Sequence, residues 1–191
     1  DASKPIIFHD MSDENAKLPK TTLTTLTFQD KVQGDTNSSM ANAFSYSYLC
    51  PNFKTINNLD TNIDTSNVTN MSCMFWMSNF TNVGDLSKWN TSKVTRMNGM
   101  FYNSQLTTVG DLSKWDTSNV TNMSSMFYNS QLTTVGDLSQ WNTSKMTYMS
   151  GMFEKSKLTS VGDLSKWNTS NVTNMGNMFR DSKLTPPAWY H

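Results

Sequence analysis

One unit of 26 residues recurs through this chain with so little drift that it decides the architecture. DLSKWNTSKVTRMNGMFYNSQLTTVG from Asp85 is followed by DLSKWDTSNVTNMSSMFYNSQLTTVG from Asp111, and the two differ at five positions. Two further units, from Asp137 and Asp163, keep the same frame, with Trp89, Trp115, Trp141 and Trp167 marking it. No globular domain needs its hydrophobic residues at a fixed interval of this length. A stack of identical coils does, because each coil buries its apolar row only against the coils above and below it. The period therefore predicts a mainly β solenoid of 26-residue coils.

The frame extends upstream in weakened form. Ile63 stands in the tryptophan slot of a unit that continues Asp-Thr-Ser-Asn-Val-Thr-Asn-Met71. Met40 to Phe44 resembles Met71 to Phe75, and reads as a degenerate first coil carrying an insertion. Residues 1 to about 30 show no repeat and hold two charged clusters, Asp10 to Glu14 and Lys17 to Lys20, so they suit an arm or cap. A solenoid needs such a lid, since an end coil would otherwise leave its strand edge open. At the other end Pro186-Pro187 stops strand pairing, because proline donates no ladder hydrogen bond. The expected organisation is a cap with the first coil over 1–58, the array over 59–185, and a tail over 186–191 that either covers the last coil or begins a linker.

Within a unit, Leu106, Val109, Leu112, Trp115, Val120, Met123, Met126 and Phe127 recur with conservative substitutes and form the expected core rows. Leu-Thr-Thr-Val-Gly-Asp-Leu-Ser has the spacing of a short strand with a bulge or tight bend at its glycine. Val-Thr-Asn-Met suits a second short parallel strand, and Met-Ser-Ser-Met-Phe-Tyr a single helical turn. The Asn/Asp-Thr-Ser triplet marks a turn in which short polar side chains satisfy backbone groups.

Composition narrows the function class. Fifteen Lys and Arg balance fifteen acids, dispersed along the repeats. Without a basic patch, nucleic-acid binding lacks its electrostatic drive. No run of about 18 apolar residues suggests membrane insertion. The chain starts at Asp1 with neither initiator methionine nor secretion signal, which suggests a mature product or a cut piece. Enzyme chemistry finds little purchase: the two Glu and two His (His9 and His191) form no triad or carboxylate pair within the repeats. Active sites are singular constellations, whereas the polar residues here are copied unit by unit.

Several rows invite chemistry and have a plainer reading. Ten of the fourteen methionines pair at i and i+3 in one phase of the unit, which suits core filling by a flexible thioether better than a copper site. Asp85, Asp111, Asp137 and Asp163 stack once per unit, about 5 Å apart if the coils pair like strands, with Lys88, Lys114 and Lys166 to offset repulsion. A single file of this kind makes a poor calcium cage, so no metal or other cofactor is implied. Cys50 and Cys73 fall in consecutive N-terminal coils, where a disulfide is one reading and two free buried thiols the other.

The stretch Leu106 to Phe127, L-T-T-V-G-D-L-S-K-W-D-T-S-N-V-T-N-M-S-S-M-F, resembles the BspA-like leucine-rich repeat surface proteins of bacteria, over roughly residues 59 to 185. The glycine before Asp111 and its equivalents, and Ile63, depart from that pattern. The resemblance implies a leucine-rich-repeat-type solenoid with an irregular N-terminal cap, exported to the cell surface or wall. It implies a monomeric module of a larger adhesin, whose partners are host extracellular proteins or glycans. On that expectation, contacts fall to the exposed strand positions Thr107, Thr108, Lys114, Thr133 and Thr134. The residues that break the rows, Arg96, Tyr148, Glu154 and Arg180, supply selectivity. Two rival readings remain: a spacer that lifts another domain from the wall, and an ice-binding array built on the threonine ladders.

Overall fold

The computed structural model describes residues 25–27, 32–33, 39–45 and 54–191. Regular elements are few. At the N-terminal end β1 (Thr25–Thr27) pairs in parallel with β3 (Thr55–Asn57), and β2 (Val32–Gln33) with β4 (Ile63–Asp64), with the short helix α1 (Leu59–Asn62) between β3 and β4. Pairing thus reaches back to Thr25, further than the repeat can be aligned by sequence.

Beyond β4, what recurs is a set of contacts between successive units. Single parallel bridges join Ser39 to Asn70, Asn70 to Arg96, Arg96 to Asn122, Asn122 to Tyr148 and Tyr148 to Asn174. The expected second strand is therefore reduced to one bridged residue per unit. Turns crowd it on both sides, so the ladder has no room to lengthen.

The segment after the bridge does not form the expected helical turn. Met123, Ser125, Phe127 and Asn129 donate their N–H groups to Tyr148, Ser150, Met152 and Glu154 of the next unit at 2.8 to 3.0 Å. A helix would turn those donors back on its own chain. Residues four apart instead take left-handed backbone, Ser125 at φ 56° and Asn129 at 46°, and the same phases hold Cys73 and Asn103 at 55° and 51°. The amides between them, Met126, Tyr128 and Ser130, bond three residues back within the unit to Met123, Ser125 and Phe127 at 3.2 Å, so the ribbon of tight turns alternates its donors between its own chain and the next unit.

The Leu-Thr-Thr-Val-Gly-Asp-Leu-Ser stretch also departs from a continuous strand. After the glycine come 3-10 turns at Leu86–Lys88, Leu112–Lys114, Leu138–Gln140 and Leu164–Lys166, each capped by the preceding aspartate, whose Oδ1 accepts from the serine N–H two residues on. Gly136, at φ 85°, lies where a Cβ would overlap Asp111 Oδ1. The glycine is needed because the capping carboxylate of the unit before fills the place of a side chain. Capping also answers the repulsion along the aspartate row. The Asp85, Asp111 and Asp163 carboxyls sit below the usual range mainly through the serine N–H bond, with the neighbouring lysine a lesser cause.

The interior is a set of columns. Phe44, Phe75, Phe101, Phe127, Phe153 and Phe179 stack at centroid spacings of 5.5 to 5.7 Å, beside buried methionine pairs. Each buried phenylalanine contributes roughly 1.5–3 kcal/mol of transfer free energy, and each stacked pair about 0.5–1.5 kcal/mol more. Trp115, Trp141 and Trp167 are buried with Nε1 donating to the carbonyls of Leu86, Leu112 and Leu138 at 3.0 Å. Trp89 Nε1 has no partner among the described residues, because α1 replaces the 3-10 turn in the unit before it. Trp189 repeats the bond, to Leu164 at 2.8 Å, and stacks on Trp167. The tail thereby covers the end of the tryptophan column.

Candidate functional site

Each threonine ladder turns out to staple one unit to another. Thr95, Thr121, Thr147 and Thr173 donate Oγ1–H to the backbone carbonyl of the threonine one unit earlier at 2.9 to 3.2 Å. Thr91, Thr117 and Thr143 are buried and donate forward to Asp116, Asn142 and Asn168. An ice-binding face needs hydroxyls turned to solvent in a uniform row. Here the protons are committed to the stack, and the adjoining row is broken by Arg96 and Tyr148.

The candidate residues lie on three stretches of the unit. Thr107, Thr108, Thr133, Thr134 and Lys114 are exposed on the stretch around the 3-10 turn. Thr107 donates to Thr81 O at 3.2 Å, while Thr108 and Thr134 accept from the N–H groups of Gly110 and Gly136 at 3.5 Å. Glu154 and Arg180 lie on the turn ribbon, 3.9 Å apart, and Glu154 is only 8% exposed. Arg180 is itself exposed and lies nearer to Asp181, at 3.6 Å. Arg96 and Tyr148 share the bridge row, two units apart. Among the described residues, no hydrogen bond or ion pair ties one of these three groups to another. Cys50 lies outside the described residues; Cys73 is a free thiol, half-buried, and burial pushes its pKa up.

The bridge row holds the signal that reading the sequence in isolation misses. In three units this position is asparagine, and its Oδ1 accepts from the N–H two residues on: Asn70 from Ser72, Asn122 from Ser124 and Asn174 from Gly176, at 2.9 to 3.1 Å. Such side-chain caps are worth about 1 kcal/mol. Arg96 and Tyr148 stand where that acceptor would be and cannot supply it. Both are exposed, Tyr148 at 48%, and it is the one large hydrophobic residue so exposed among the described residues. Arg96 makes no ion pair with any described residue. The Asn-Met-Ser and Asn-Met-Gly spacing was visible in the sequence, but its meaning as a turn cap was not.

A second periodic feature is an outer aromatic stack, Trp76 on Tyr102 at 5.9 Å and Tyr102 on Tyr128 at 4.5 Å. It gives way to Glu154 and Arg180 in the next two units. Lys155 Nζ lies 5.6 Å from the Tyr128 ring centre. These rings spend their faces on one another, so they offer no open platform for stacking.

The family model described as "Mycoplasma protein of unknown function, DUF285" matches residues 38–160 and 100–185. The chain belongs to the DUF285 family. No curated protein and no solved structure matches it. The match spans the stacked units and the first bridged residue pair, so DUF285 membership rests on the repeat itself. Among the described residues, no helix is long and apolar enough to cross a membrane.

Proposed function

We propose that this chain is a non-catalytic binding module of a bacterial surface protein, a solenoid of the leucine-rich-repeat kind that meets an extracellular host protein or glycan through its bridge row. The observation that carries the reading is the loss of two asparagine caps. Where Asn70, Asn122 and Asn174 secure the turn, Arg96 and Tyr148 give up about 1 kcal/mol each and place two interface-favoured side chains in solvent. A residue that forgoes its unit's cap and still stands exposed is best explained by what it touches outside. Family membership and the resemblance to BspA-like proteins supply the setting, and repetition of nearly every other polar group speaks against a catalytic centre.

The test restores the unit's own preference. Arg96→Asn and Tyr148→Asn together should abolish binding to a panel of matrix proteins and mucin glycans while keeping or raising the melting temperature. Full binding by the double variant rejects the row. A wild-type chain that binds nothing on the panel leaves the spacer reading in its place.

A further inference from the structure

Resting on that reading, we infer that the partner of the bridge row is an anionic polysaccharide, with a carboxylate or sulfate held by Arg96 and a sugar ring laid on Tyr148. Two rungs separate these residues, about 10 Å at parallel-strand spacing, which is the span of a disaccharide. Guanidinium recognises a carboxylate or sulfate through paired N–H donors. An exposed aromatic face takes the C–H side of a pyranose without needing a pocket.

The row adjoining them suits sugar hydroxyls. Thr95, Thr121 and Thr147 have sent their hydroxyl protons to backbone carbonyls, so toward solvent they present lone pairs that accept. Lys93 and Lys145, in the same two units as Arg96 and Tyr148, add positive charge, each anchored by Nζ to an asparagine Oδ1 at 2.7 Å. The nearby acids Asp64 and Asp116 accept from the N–H groups of Ser66 and Ser118 and stay charged, so Asp116 offsets part of the Lys145 charge and Arg96 carries the anion contact.

A protein partner fits this surface less well. Stable protein interfaces bury on the order of 1,000 Å² or more around an apolar centre, and Tyr148 has no exposed large apolar neighbour among the described residues. One ring and one guanidinium at disaccharide spacing are enough for a glycan held by repeated weak contacts.

The experiment measures binding of the whole chain to a glucuronate polysaccharide (hyaluronan), a sulfated one (heparin) and uncharged dextran. Either anionic chain should bind, weaken with added salt, and outcompete dextran. Arg96→Asn should lower affinity about tenfold, the scale of one charge-assisted contact. Tyr148→Asn should lower it several-fold, and Tyr148→Phe, which keeps the ring, should not. Lys183→Gln, an exposed lysine outside the bridge row, should leave binding unchanged. Equal binding to dextran, equal loss with Lys183→Gln, or wild-type binding by Arg96→Asn overturns the inference. Should a host protein bind in an Arg96- and Tyr148-dependent way while neither anionic glycan does, the glycan inference falls and the binding-module reading stands. Should no partner depend on these residues, both fall.

Discussion

The phenylalanine column and the bridge row run side by side through the same units and obey opposite rules. Inside, Phe44 to Phe179 keep one residue type at every level, because each ring is wall and floor for the next and a close-packed column has no tolerance for a change of shape. Outside, asparagine, arginine, asparagine, tyrosine and asparagine succeed one another from Asn70 to Asn174, although the backbone bridge is the same at each. The difference separates what stacking demands from what it permits. Exceptions to a repeat are informative only where the repeat has a physical reason to persist, and the asparagine caps provide that reason.

The comparison can be broken first from the inside. Phe127→Ala opens a cavity between two stacked neighbours and should cost about 3–5 kcal/mol, read as a large fall in melting temperature; a loss under 1 kcal/mol would mean the column is not the spine. Gly136→Ala comes next. A left-handed alanine costs about 1–2 kcal/mol, and displacing Asp111 from the Ser113 N–H adds about 1 kcal/mol. Asp111→Ala in the same chain should add little further loss, since the Ser113 N–H bond is already gone.

Acid gives a gentler test of the aspartate caps. The Asp85, Asp111, Asp116 and Asp163 carboxyls sit below their ordinary value through serine N–H bonds, Asp116 with the Ser118 hydroxyl as its foremost donor. A depressed native pKa stabilises the fold above the unfolded-state value and is lost as pH falls through the native one. Melting temperature should therefore be flat from neutrality to about pH 5 and decline below about pH 4. A decline that begins near pH 6 would assign the acid sensitivity to other groups. The smallest effect sharpens the contrast from outside. Tyr148→Asn should raise stability by several tenths to about 1 kcal/mol, and a crystal structure should show the new Oδ1 accepting from Ser150 N–H. Destabilisation would mean that Tyr148 packs against its own unit and is not held in reserve for a partner.

Much of this was legible in the residues. The 26-residue period identified the stacking unit and the inward rows, because apolar residues copied at one phase can be buried together only by translation. The glycine that departs from the family pattern looked like a bulge; its cause is an aspartate two dozen residues earlier, which no local window contains. The spacing of Met123 and Met126 suits a helical turn and this ribbon alike, because both place i and i+3 on one side. That Glu154 breaks its row is plain from the sequence; that it is buried beside Arg180 of the next unit is not.

By itself the sequence determined the repeat length, the composition of the columns, the asparagine and aspartate turns, and which residues break each row. These depend on side-chain type and on spacing along one unit. Tertiary structure alone decided where the backbone hydrogen bonds go, which threonine hydroxyls face inward, and why position 136 must be glycine. Those properties are set between units, where a group's partner lies about one repeat away and its direction is fixed only once the stack has formed.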